Sequence, residues 1–136
     1  MAITKYLHDD VYKNGLGLFK SNGALQYRLM NAVPASNPTP ASLNTALVAV
    51  AVLLNASEVT LISDGAGGWQ VNIPTKTLSA TAASAAGTSL YIVLTDHNTP
   101  NEIKTLMYTQ ETTAPAIAIG ASLIVPAFSF GFSAPV

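Results

Sequence analysis

Apolar side chains recur at every second position through most of this chain, and that period decides what it can become. In residues 24–30, Leu25, Tyr27 and Leu29 fall on one side and Gln26 and Arg28 on the other. Residues 69–73 put Trp69, Val71 and Ile73 on one side, and the tail sets Phe128, Phe130 and Phe132 two apart with small residues between. A period of two is the strand repeat, in which successive side chains point to opposite faces. The pattern predicts a half-buried strand at 24–30.

Further strands are expected at 48–54, 59–63, 69–73, 89–95, 102–110, 122–125 and the Phe128–Phe132 tail. The Gly-rich run 64–68 should turn 59–63 back onto 69–73 as a hairpin, because glycine takes positive φ at little cost. Pro74 then ends the strand. Residues 96–101 read as a polar turn between the 89–95 and 102–110 strands, and Gly120 as a turn before 122–125. About eight strands with turn signals every 8–12 residues mean an all-β sandwich, jelly roll or small barrel.

Three stretches leave the pattern. Residues 1–23 can hold a short helix from Asp9 or Asp10 to Lys20, with Tyr12, Leu16 and Phe19 on one face, or can run as an extended arm. Residues 31–42 carry Pro34, Pro38 and Pro40, a composition that excludes regular helix or central strand. That segment is either inert surface or a preordered arm that docks with little entropy loss. Residues 77–87, rich in Ala, Ser and Thr, are either a flexible loop or a strand packed where only small side chains fit. The whole is expected as one domain, 1–136, with 1–23 as N-terminal arm or short helix and 24–136 as the β-sandwich.

Chemistry-bearing residues are sparse. The 136 residues include 6 Lys and Arg, 7 Asp and Glu, 2 His and no Cys. His8-Asp9-Asp10 are adjacent and cannot all aim at one ion; they read as a solvated helix cap. Asp96-His97 reads as a surface turn, with no Gly-x-Ser-x-Gly elbow to make a triad. Glu58, Glu102 and Glu111 form no evident carboxylate pair. The run 64–68 lacks the Gly-Lys-Ser/Thr ending of a phosphate loop. Asn55-Ala56-Ser57 matches a glycosylation sequon by chance. No catalytic, cofactor or metal residues are expected, and the chain is expected not to be an enzyme.

The formal net charge is -1, which does not suit nucleic acid. The longest apolar run, 46–54, is too short for a membrane helix, which needs roughly 20 residues. A soluble protein made in the cytoplasm without export, with no membrane or nucleic-acid partner, is the expectation. The Phe128, Phe130, Phe132 ladder is either an inward sheet face or an aromatic strip that packs on a partner.

The ends of the chain resemble a known family. Tyr6-Leu7-His8-Asp9-Asp10-Val11 and Leu18-Phe19-Lys20-Ser21-Asn22 are similar to the opening of small tailed-phage virion proteins. The run 88–93, the strand 105–109, Ile-Val-Pro-Ala-Phe at 124–128 and the closing Ala-Pro-Val follow that family's order. Where many relatives have Cys-Ser-Ala-x-Pro-Thr-Thr, this chain has Met30-Asn31-Ala32-Val33-Pro34-Ala35-Ser36. The resemblance is to the head decoration, or cement, proteins of tailed bacteriophages, of the jelly-roll type found on Bordetella phage and similar podophage heads.

It implies a non-enzymatic protein on the outer surface of the assembled icosahedral capsid. Its partner would be the major capsid protein, it would be a homodimer, and it would hold neighbouring capsid subunits together against internal DNA pressure. The expected contact regions are 1–12, 31–42 and 78–87, with Tyr6, Leu7, Tyr12, Pro34, Pro38, Pro40, Phe128, Phe130 and Phe132 as interface residues. Deleting residues 1–8 is expected to leave the fold intact and weaken shell binding. The alternative is a tail or fibre β-domain binding host surface carbohydrate, with Trp69 and the tyrosines stacking on sugar rings.

Overall fold

The two halves of residues 69–132 zip together in one antiparallel register. In the computed structural model, which describes residues 5–7, 15, 25–54, 58–63, 68–99 and 102–132, strand Trp69–Ile73 pairs with Phe128–Phe132, Trp69 facing Phe132 and Ile73 facing Phe128. Lys76–Ser79 pairs with Ser122–Val125 in the same frame. Ser84 bridges Ile117, and the Gly87 N–H reaches the Ala114 carbonyl at 2.9 Å. Leu90–Thr99 and Glu102–Glu111 close the ribbon, Leu90 facing Glu111. Each pair follows from the last with no residue gained or lost, until an irregularity after Leu94.

The ribbon breaks into segments where its chemistry demands. Pro74 and Pro126 have no N–H to give the ladder, and both fall in the gap between the first two paired segments. The Ala127 N–H is satisfied there by the Thr75 hydroxyl at 3.0 Å. A second bend uses the small-residue run 80–88, with Gly87 at φ 79 and Gly120 at φ 85 on the two sides, a region that glycine enters without penalty. The stretch 77–87 begins as strand, with Leu78 buried, and ends as a bend held by isolated bridges.

The remaining strands flank the ribbon. In chain order the elements are β1 (Lys5–Leu7), β2 (Leu25–Met30), α1 (Pro40–Thr45), β3 (Leu47–Leu54), β4 (Thr60–Ser63), β5 (Trp69–Ile73), β6 (Lys76–Ser79), β7 (Leu90–Thr99), β8 (Glu102–Glu111), β9 (Ser122–Val125) and β10 (Phe128–Phe132). They form sheets ordered β1-β8-β7-β2-β3, β10-β5-β4 and β6-β9. The fold is all-β and sandwich-like, as the alternation predicts.

The core lies between the layers. Leu25, Tyr27 and Leu29 of β2, with Leu94 and Leu106 of the ribbon's closed end, pack with Val71 and Ile73 of β5, Leu78 of β6 and Val125 of β9. Each such side chain contributes about 1.5–3 kcal/mol by leaving water. A Lys76–Glu58 ion pair ties β6 to the approach to β4. The β4–β5 hairpin has Ser63 facing Trp69, which leaves the expected five-residue connection; residues 64–67 of it lie outside the described set.

Burial keeps the Tyr27 phenol protonated well above the ordinary tyrosine range. The unfolded chain then loses this proton more readily than the folded one. Stability from Tyr27 is fully present below about pH 10 and falls above it, by roughly 1.4 kcal/mol per pH unit. Alkaline titration followed by tyrosinate absorbance should therefore show a late tyrosine ionising together with unfolding. Tyr27→Phe should flatten the decline; an unchanged slope would refute the assignment.

Three expectations need correction. The strand 24–30 is not half-buried: Arg28 and Met30 on its second face are buried too, because β2 is an interior strand covered on both sides. The Pro-rich loop does not exclude helix at its end, since α1 begins at Pro40. Proline is tolerated at the first helical position, where its missing N–H has no intrahelical partner anyway. Asp96 and His97 are not in a turn; β7 runs on through Thr99. Lys5–Leu7 of the opening segment are extended and pair with β8. The expected helix from Asp9 or Asp10 to Lys20 lies outside the described residues except at Gly15, whose φ of 72 no helix interior takes.

Candidate contact surface

The outer face of the five-stranded sheet carries a platform built by residues 31–46. Its base is closed by the Asn31 N–H donating to the Ala46 carbonyl at 2.9 Å. Within it, Thr39 caps α1 reciprocally. Its hydroxyl accepts from the Ser42 N–H at 3.1 Å, and the Ser42 hydroxyl accepts from the Thr39 N–H at 3.0 Å. Six residues are too few for a helix to stand alone. Tertiary packing holds this one: Leu43 is buried with Met30, Ala46, Tyr91, Val93 and Ile103, and Tyr91 meets Tyr108 edge-on at 5.7 Å.

The loop itself is pinned by a β-bulge. Leu94 pairs with Met107 but Thr95 pairs with Thr105, so Leu106 is the extra residue. Bulges free ladder groups and re-aim their neighbours. Here the Thr105 N–H donates to the Ser36 carbonyl at 2.9 Å, and its hydroxyl donates to the Ala35 carbonyl at 2.6 Å. Thr105 is fully buried. Thr105→Val leaves the Ala35 carbonyl without this donor and should cost about 1–2 kcal/mol. Hydrogen exchange at the Thr105 amide should speed up with it, and unchanged protection would sever the link between bulge and loop.

Between loop and helix lies an apolar cavity of about 260 Å³, walled chiefly by Met30, Val33, Pro34, Pro38 and Leu43. Val33 stands at its rim, 54 % exposed. The platform is thus a fixed, uncharged surface with an open hollow.

A polar patch sits beyond it on the same sheet. Arg28 is only 8 % exposed; its Nη2 donates to Gln26 Oε1 at 2.9 Å, and its Nε has no hydrogen-bond partner among the described residues. Burial lowers its pKa from the ordinary value. His97 Nε2 lies 2.9 Å from the Thr95 hydroxyl. Burial lowers the His97 pKa, the positive Arg28 lowers it further, and Asp96 opposes both. An imidazole of lowered pKa thus lies beside a buried cation and a threonine hydroxyl. Among the described residues no group of three His, Asp or Glu could hold a metal ion, and no helix is long and apolar enough to cross a membrane.

The expected interface residues are dispersed. Pro34 and Pro38 line the cavity, while Pro40 starts α1 and is exposed. Tyr6 and Leu7 lie in β1, opposite Tyr108 and Met107. Phe128, Phe130 and Phe132 lie in β10 of the other layer, opposite Ile73, Val71 and Trp69; their side chains, and all of Tyr12, fall outside the described set. Thr105, which fixes the platform, carries no sequence signal, because a bulge leaves no mark on local alternation. Arg28 could be read only as a solvent-face residue of an alternating strand.

Comparison of this chain with known protein families, curated proteins and solved structures yields no match.

Proposed function

We propose that this chain is a non-enzymatic structural protein of a tailed-phage virion, made in the host cytoplasm. It binds the outside of the assembled capsid as a homodimer and holds neighbouring major capsid subunits together against internal DNA pressure. The observation that carries this reading is the pinned apolar platform of residues 31–46. A loop already ordered by Thr105 loses little entropy when it docks, and charge-poor surface suits the centre of an interface. A partner that binds only the assembled shell stabilises it by mass action, and many symmetric copies multiply modest contacts. The ribbon of residues 69–132 supports the jelly-roll assignment, since rolling a long antiparallel ribbon is one way to build two facing sheets.

Copy number is the decisive measurement. A ratio near one to one against the major capsid protein in purified virions is the expected result, and absence from virions would overturn the proposal. Deleting residues 1–8 removes β1 along with the arm, so that deletion tests fold and docking together. Val33→Asp is the cleaner variant: shell occupancy should fall by about tenfold or more with the melting temperature held, since a desolvated unpaired charge weakens an interface. Unchanged occupancy would exclude the platform as the contact.

One observation favours a second reading, a tail or fibre domain that binds host carbohydrate. Trp69 is 54 % exposed and could stack on a sugar ring. A few copies per particle, and loss of glycan binding in Trp69→Ala, would select it.

A further inference from the structure

Two features stand outside the reading above: the buried Arg28, whose Nε has no partner among the described residues, and the outer edge of β10. Nothing on the first indicates what would occupy it. The second carries more.

We propose that β10 pairs antiparallel with β10 of a second copy of this chain, with Phe130 on the two-fold axis, joining two three-stranded sheets into one of six. In the order β10-β5-β4, β10 is the outer strand and no described residue pairs with its far side. Proteins normally blunt such an edge with charge, and a lysine or a glutamate is the usual device. This edge has none: from Thr112 to Val136 the sequence contains no Asp, Glu, Lys, Arg or His. Pro126, which could interrupt pairing, lies before β10 and not within it.

The strand is also self-complementary. Phe128-Ser129-Phe130-Gly131-Phe132 reads the same in apolar and small residues from either end. Antiparallel pairing about Phe130 sets Phe128 opposite Phe132 and Ser129 opposite Gly131, so position meets like position across the axis. Isologous contacts require this kind of pattern. Ser129 and Gly131 are both exposed, which leaves room at the positions between the phenylalanines. The other sheet edges fit less well. β1 begins at Lys5 and is followed by His8-Asp9-Asp10, β4 lies between Glu58 and Asp64, and β6 begins at Lys76. β3 is already bridged to Ala80 through Ala49, and β9, Ser-Leu-Ile-Val, does not read alike from its two ends.

The proposal does not depend on the capsid reading. A dimer absent from virions would leave it standing and remove the other. The full chain should elute with twice its 14.1 kDa mass when light scattering is read across a dilution series. Ser129→Lys places two cations on the diagonal of the new pair, within reach of each other, and should weaken the dimer by about tenfold or more at low salt. An equimolar mixture of Ser129→Lys and Ser129→Asp should recover it. Thr60→Lys on the opposite edge should leave it intact. If Ser129→Lys does not fold, Ser129→Asp alone serves the same purpose. A wild-type monomer at every concentration would overturn the proposal. So would a Ser129→Lys dimer as tight as wild type, or dissociation by Thr60→Lys alone.

Discussion

Gly131→Ala should release β10 from β5 and lower stability by about 3 kcal/mol, the upper part of the usual overpacking range. The methyl group would fall onto the Trp69 carbonyl oxygen, 2.7 Å from Gln70 Cα and 2.8 Å from Gln70 Cβ. Two of these three obstacles are backbone of the neighbouring strand, so no rotamer change relieves them. The ladder must open, and it opens at Phe132–Trp69, where the ribbon ends. A melting temperature lowered by about 10 °C is the readout. Gly131→Ala should also lose the dimer. Melting unchanged within a degree would mean that the close approach of β10 to β5 is not as described. Gly87 and Gly120 form a contrast: a Cβ there meets nothing within 4 Å, and only their positive φ resists substitution.

Tyr27→Ala should be costlier, at about 4 kcal/mol. Tyr27 has no exposed surface. It faces Leu94 on one side and Val52 on the other, in the middle of the five-stranded sheet. Truncation leaves a void in the layer between the sheets, and interior strands cannot move in to fill it. Urea unfolding should show the lower midpoint without a change of slope. Ile124→Ala is the control: Ile124 is 72 % exposed and its loss should stay within about 0.5 kcal/mol. Equal effects from the two would place the core elsewhere.

Strand positions were legible in the sequence because alternation is local. Leu25, Tyr27 and Leu29 do form one buried row, and Val71 and Ile73 another. The β4–β5 hairpin was legible because a Gly-rich run separates two alternating segments. Alternation says nothing, however, about which strand lies beside which. The continuity of Trp69–Phe132 pairing through one proline break and a bend therefore had no local signature. The second covered face of β2 was hidden for a related reason. Arg28 reads as a solvent residue of an alternating strand, yet the fold leaves it only 8 % exposed. α1 was masked by its prolines, whose meaning reverses between a helix interior and its first turn. Asp96 and His97 looked like a turn because polar residues in a strand imitate one. The platform at 31–46 was marked as a segment, but its fastening to Thr105 depends on an extra residue in β8 that no spacing rule reveals.

The single register of residues 69–132 also bears on how the chain acquires its shape. Pairs between Trp69 and Phe132 are remote in sequence, and such contacts are ordinarily slow to form because a long loop must close first. Here each closed pair shortens the loop for the next. Zipping from the Thr99–Glu102 end meets the bulge, then the glycine bend, then the proline break, one small closure at a time. The cost of this route is intolerance of error: a slip of one residue would reverse the inward and outward faces of every pair beyond it. Natural length variation should therefore collect at the bends and between Thr99 and Glu102, where an added residue shifts no face.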